Sequence, residues 1–145
     1  MTERRAFAPR PYQDIIIDHI LNTPRCAVWA GMGMGKTVST LTAVDALELV
    51  EPGPTLVTAP LRVAQSTWPD EVVKWQHLRN VEVTPIVGTA AARKKALARA
   101  FSFSASTFTI NYENIPWLVE TLADMRKPWP FAKIVPDEAT RVKSF

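Results

Sequence analysis

Only one cysteine, Cys26, and two histidines, His19 and His77, occur among the 145 residues. An internal disulfide is therefore excluded, and no Cys/His spacing suits a structural zinc site. A reducing, cytoplasmic setting is the resulting expectation. No run of about 18 apolar residues exists to span a bilayer, and the opening MTERRAFAPRPYQD lacks the apolar stretch of a signal peptide. No membrane partner is expected. Charge of one sign is also scarce: 17 Lys+Arg against 14 Asp+Glu leave +3, a mild lean toward anionic partners rather than a nucleic-acid signature. What the chain does have is core material, with 47% hydrophobic residues, five Trp and six Phe. A chain of this size buries roughly 68–70% of its unfolded surface, so one folded domain over 1–145 is predicted.

Along the chain, apolar periodicity alternates between two kinds of segment. Ile16, Ile17, Ile20 and Leu21 fall at helical spacing after Pro11, predicting a helix over about 11–22. Cys26–Ala30 is a short apolar run without a polar face, the pattern of a strand covered on both sides. A glycine-rich turn then opens a helix carrying Val38, Leu41, Val44 and Leu47, closed by Glu51-Pro52-Gly53-Pro54. Thr55–Ala59 is the second strand. A helix from Pro69 places Trp68, Val72 and Trp75 on one apolar stripe, with Asp70 and Lys74 paired on its wet face. Further strands are predicted at 81–87, 107–110 and 133–135, and helices at 90–101 and 114–125. Such alternation specifies crossover units, hence an α/β fold with a mainly parallel sheet and helices on both faces.

Chemistry concentrates at two places. Ala30-Gly31-Met32-Gly33-Met34-Gly35-Lys36-Thr37 fits the phosphate-loop pattern backwards from Gly-Lys-Thr, with Ala30 where the strict pattern has Gly. Backbone N–H groups of Gly31, Met32, Gly33, Met34 and Gly35 can surround a triphosphate only where no Cβ obstructs the turn, and the helix beginning at Lys36 adds its positive end. Lys36 would reach the β- and γ-phosphates of ATP, and the Thr37 hydroxyl would ligate Mg²⁺. The second place is Lys133-Ile134-Val135-Pro136-Asp137-Glu138, an acidic pair at the end of an apolar strand. Asp137 would hold the Mg²⁺ water shell, and Glu138 would act as general base on the attacking water. Arg93, Lys94, Lys95 and Arg99 are read as a solvated polar surface, and Trp68 and Trp75 as core.

Together with Ala59-Pro60-Leu61, with Trp68, Glu71 and Trp75 after it, and with Asp137-Glu138-Ala139-Thr140-Arg141-Val142-Lys143, the phosphate loop resembles the first motor domain of superfamily-two helicases. The nearest resemblance is to the Swi/Snf-like DNA translocases, especially the compact kind encoded by bacteriophages, which implies a host-cell cytoplasm. Gly88-Thr89 with Arg93, and Ile110-Asn111-Tyr112-Glu113, extend the resemblance over about 10–145. It implies a RecA-like phosphate-loop fold, ATP and Mg²⁺ as cofactors, and ATP hydrolysis driving movement on DNA, double-stranded in the first instance, with RNA left open. It implies Tyr12-Gln13 as the adenine-reading pair, since a Gln amide donates and accepts at once. Onto Pro60, Leu61, Arg62, Asn111 and Tyr112 it carries the contacts to one nucleic-acid strand.

Two residues depart from that pattern. Pro136 stands where the family has an aliphatic residue; lacking an N–H, it either removes a rung from a central strand and re-aims Asp137, at a cost in activity, or is tolerated at the end of the strand. Thr140 occupies the place of a common His. In the family a second RecA-like domain supplies arginine fingers, worth about 10³–10⁵ in rate in other nucleotide hydrolases. No residue here takes that role, so the expectation is a partial first motor domain with the second domain absent, binding Mg-ATP weakly and turning over slowly. Two other classes compete with it. A small phosphate-loop kinase would require an arginine-rich lid, which the sequence lacks. A non-catalytic truncated motor would bind nucleotide, DNA or a partner without hydrolysis.

Overall fold

A computed structural model of the chain describes residues 3–22, 35–102 and 107–137. It divides into two compact units, one formed by residues 1–52 with 70–81 and the other by 53–69 with 82–145.

Among the described residues, the first unit is mainly helical. Helix α1, Pro11–Asn22, begins with proline at its first position, where the missing N–H has no helical partner to lose. Arg10 O accepts from Gln13 N (2.9 Å) and Asp14 N (3.1 Å), while Gln13 Oε1 accepts from Arg10 N (2.9 Å). That return bond is one half of a capping box. Helix α2, Lys36–Leu47, packs on α1 and buries Val38, Leu41, Ala43 and Val44. Thr42 Oγ1 donates to Val38 O (2.7 Å), so its contact with His77 Nε2 (2.8 Å) is accepted from a ring N–H. Burial pushes the His77 ring below its usual 6.5 and the Asp45 carboxyl above its usual 3.8; their mutual attraction opposes both shifts, and Glu48 adds to that of Asp45.

Helix α3, Trp68–Val72, is shorter than the periodicity predicts. Trp75 has extended backbone (φ −110°, ψ 133°) and forms a parallel bridge with Arg5. Arg5 N donates to Lys74 O and Gln76 N to Arg5 O, both at 2.7 Å, while Arg4 Nη1 donates to Val72 O and Trp75 O at 3.0 Å. The chain's start thus takes carbonyls that a longer helix would have used, and Phe7 stacks on His77 and meets Trp75 edge-on. With the helix cut short, Lys74 pairs with Glu71 (3.3 Å) instead of Asp70.

Among the described residues, the second unit is built on a four-stranded, all-parallel sheet: β1 (Thr55–Ala59), β2 (Val83–Ile86), β3 (Thr107–Asn111) and β4 (Lys133–Pro136), in the order β2-β3-β1-β4. The register pairs Leu56 with Phe108 and Ile86 with Ile110, so strand alternation puts these four on one face. Helices α4 (Ala90–Ala98) and α5 (Ile115–Asp124) cover it, adding Leu97, Leu118 and Leu122 to one core with Phe131. Thr89 caps α4 by accepting from Ala92 N (3.1 Å). The opposite face carries Val57, Thr109, Asn111 and Val135. The predicted strand at Cys26–Ala30 lies outside the described residues, among which β4 has one neighbour. No described helix is long and apolar enough to cross a membrane.

On the β1 side of β4, Pro136 costs no hydrogen bond. Lys133 N donates to Pro54 O and Asp137 N to Thr58 O (2.7 Å), so alternate residues of this strand give their N–H to β1. Pro136 falls between two such donors. No rung toward β1 is lost, and Asp137 is held in register.

Between β1 and α3 the chain makes a π-helical turn, Val63–Thr67, closed by Trp68 N on Val63 O. This leaves Ala64 O facing Pro69, which has no N–H to give. Thr109 Oγ1 donates to that buried carbonyl instead.

Candidate nucleotide-binding site

Each unit carries its own set of candidate residues. In the first, Gly35 has a left-handed backbone (φ 69°, ψ 30°) and leads directly into α2, whose first two residues are Lys36 and Thr37, both half-buried. No acidic residue lies in the first turn of α2, so its positive end is uncompensated there. Gly35 O accepts from Ser39 N (3.2 Å) and Ser39 Oγ (2.9 Å). Gln13, 8% exposed, lies against the same glycine: its Nε2 reaches Gly35 O at 3.5 Å, and a Cβ added to Gly35 would sit 2.2 Å from that nitrogen. The torsion favours glycine here, and a Cβ would displace the Gln13 amide. Tyr12 is half-buried next to Gln13. Gly31, Met32, Gly33 and Met34 lie outside the described residues.

In the second unit, Asp137 follows β4 and is half-buried. Its Oδ2 accepts from the indole Nε1 of Trp68 (2.9 Å), and its carbonyl accepts from the Tyr112 hydroxyl. Glu138, Thr140, Arg141 and Lys143 fall outside the described residues. The sequence assigns Trp68 to the core, and it is 2% exposed; its bond to Asp137 went unread. The available clue is that a buried indole N–H requires an acceptor, although periodicity does not say which.

The residues expected to touch nucleic acid divide by burial. Leu61 and Arg62 are exposed and Pro60 half-buried, at the exit of β1. Asn111 and Tyr112 are each 6% exposed. Asn111 Nδ2 donates to Glu113 Oε2 (3.0 Å), and its Oδ1 accepts from Asn114 Nδ2 (2.7 Å). Arg93 departs from the expected solvated surface: its guanidinium lies 4.6 Å from the Trp117 ring centroid and donates to Asn114 Oδ1 (2.9 Å). Lys94 and Lys95 are exposed, as is Arg99, which pairs with Glu82.

Thr37 in the first unit carries a hydroxyl and Asp137 in the second a carboxylate, each by itself a hard oxygen donor of the kind Mg²⁺ takes alongside phosphate oxygens. Among the described residues no group of three or more His, Cys, Asp or Glu side chains could form an all-protein metal cage.

Comparison with known proteins places this arrangement in a family. The fold matches that of a nuclease-deletion mutant of the Type ISP restriction-modification enzyme LlaGI, solved in complex with a DNA substrate mimic (TM-score 0.68, 18% identity, 92% of this chain and 15% of that one). A protein designated p41, from Acyrthosiphon pisum secondary endosymbiont phage 1, is 59% identical over 143 residues, 97% of this chain. The chain spans 30% of that relative's length. Residues 25–145 match the SNF2-related domain, and the chain therefore belongs to that family of superfamily-two, helicase-like motor domains.

Proposed function

We propose that the chain is the nucleotide-binding part of an ATP-dependent DNA translocase, hydrolysing ATP with Mg²⁺ when its motor is complete. The observation that carries this reading is the placement of Lys36 and Thr37 as the first two residues of α2, immediately after left-handed Gly35. Backbone N–H groups there point along the helix axis toward whatever precedes it, as phosphate binding requires. In this reading Gly31, Met32, Gly33, Met34 and Gly35 wrap the phosphates and Lys36 holds the β- and γ-phosphates. Thr37 and Asp137 hold Mg²⁺, and the chemistry the ion supplies when bound is neutralisation of charge developing on the phosphate oxygens. Glu138 takes the proton of the attacking water. Tyr12 and Gln13 read adenine. Because Gln13 Oε1 already accepts from Arg10 N, adenine is recognised either through its second lone pair or by opening the α1 cap.

Pro60, Leu61 and Arg62, at the exit of β1, form the proposed nucleic-acid surface, with Arg62 meeting phosphate. Asn111 and Tyr112 support that surface from within, since their polar atoms bond inside the protein. DNA is favoured as the track because the LlaGI structure of like fold contains a DNA substrate mimic.

Equilibrium binding of Mg-ATP to the chain and to Lys36→Ala tests the reading. Removing one charge-assisted phosphate contact, about 1.5–3 kcal/mol, should weaken binding roughly 10- to 150-fold. Equal affinity for both proteins would rule out a working phosphate loop.

A further inference from the structure

The inference concerns the orientation of the Asp137 carboxylate and rests on the ATPase reading above, which assigns that carboxylate to Mg²⁺. Asp137 is held from β1, from the residue after β3 and from the end of the π-helical turn. Its N–H donates to Thr58 O in β1, its carbonyl accepts from Tyr112 after β3, and its Oδ2 accepts from Trp68, which ends the π-helical turn after β1. The first two bonds fix the main chain. The third holds the side chain.

Trp68 suits that task because it cannot follow a wandering acceptor. Its ring is buried to 2% exposure, and its backbone is pinned by the turn: Trp68 N closes the turn on Val63 O, Pro69 fixes the next φ, and Thr109 ties Ala64 O to β3. A rigid indole donor facing a carboxylate makes a charge-assisted bond whose direction is set by the ring. Mg²⁺ demands near-octahedral geometry, so the orientation of a carboxylate serving it governs affinity.

We propose that Trp68 is a positioning residue: its indole N–H holds the Asp137 side chain in one orientation for Mg²⁺, through a ring anchored by the π-helical turn. Trp68 touches neither metal nor nucleotide in this account. Removing such an orienting partner of a metal ligand lowers metal affinity about 10- to 100-fold in other proteins.

The full chain, labelled with ¹⁵N, gives five indole N–H resonances, one per Trp. Asp137→Asn replaces a charged acceptor by a neutral one, so a single indole signal should move upfield. The Trp75 indole, which donates to Glu71 Oε1 (2.9 Å), serves as an internal reference that stays in place. Trp68→Phe identifies the moving signal by its loss. If no indole resonance responds to Asp137→Asn, the proposal fails, and this holds even if Trp68→Phe does not fold.

The second readout is binding. Trp68→Phe should raise the Mg²⁺ concentration that half-saturates Mg-dependent nucleotide binding about tenfold, while leaving nucleotide affinity in excess chelator unchanged. Equal loss in both conditions would reduce Trp68 to a packing residue and overturn the proposal. Loss of nucleotide binding in Lys36→Ala, with unaltered Mg²⁺ dependence in Trp68→Phe, sinks this proposal alone. Nucleotide affinity untouched by Lys36→Ala sinks both.

Discussion

Gly35 joins two demands at one residue, a positive φ and contact with Gln13. Gly35→Ala should destabilise the chain by about 2 kcal/mol, from the left-handed backbone and the displaced Gln13 amide, as read from the urea midpoint. A variant as stable as the parent would show that the Gln13 contact yields freely. At this scale the sequence singles out the phosphate loop and the Asp-Glu pair by residue types whose chemistry leaves little choice, and of these Gly35, Lys36, Thr37 and Asp137 lie among the described residues. The role of Trp68 was not legible, since its ring satisfies the apolar pattern and its single polar atom leaves no trace in periodicity. Arg93 was misread for the same reason: a guanidinium stacked on Trp117 writes the same letter as one in water.

Strands β1 to β4 and helices α1, α2, α4 and α5 emerge near their predicted positions because each has its own local signal: an apolar run, a cap, a proline at the first turn. Two elements escaped. Helix α3 ends early because Arg4 and Arg5, about seventy residues away in sequence, take its carbonyls, and the π-helical turn exists in a segment whose composition is ordinary for a helix. The turn makes its own prediction. Thr109→Val keeps the shape of the side chain but strands Ala64 O in the interior, and should lower stability by about 1–3 kcal/mol in chemical denaturation. Thr109→Ser, which keeps the hydroxyl, should recover most of it. Equal midpoints for Val and Thr would mean that the carbonyl finds another donor.

For the molecule as a whole, pH enters through His77. Its folded pKa lies below 6.5, so the unfolded chain binds the proton more readily and stability falls as pH drops through that value. Asp45 works the other way and lower down: held above 3.8, it favours the folded form as pH falls through its raised pKa. Between pH 7.5 and 5.5 the His77 effect governs, and it is small because both groups are partly solvated. Urea midpoints should drop less over this range in His77→Gln than in the parent; parallel drops would assign the sensitivity elsewhere. The division of the chain has a different consequence. The first unit needs residues 70–81 as well as 1–52, because Arg5 pairs at Trp75 and Thr42 meets His77. A ribosome that has released residue 52 must add 29 more before that unit can close, a wait of about 1.5–6 s at ordinary elongation rates. Over that interval the part of α2 that meets residues 76–78 stays uncovered, and a chaperone that binds nascent chains would find it there.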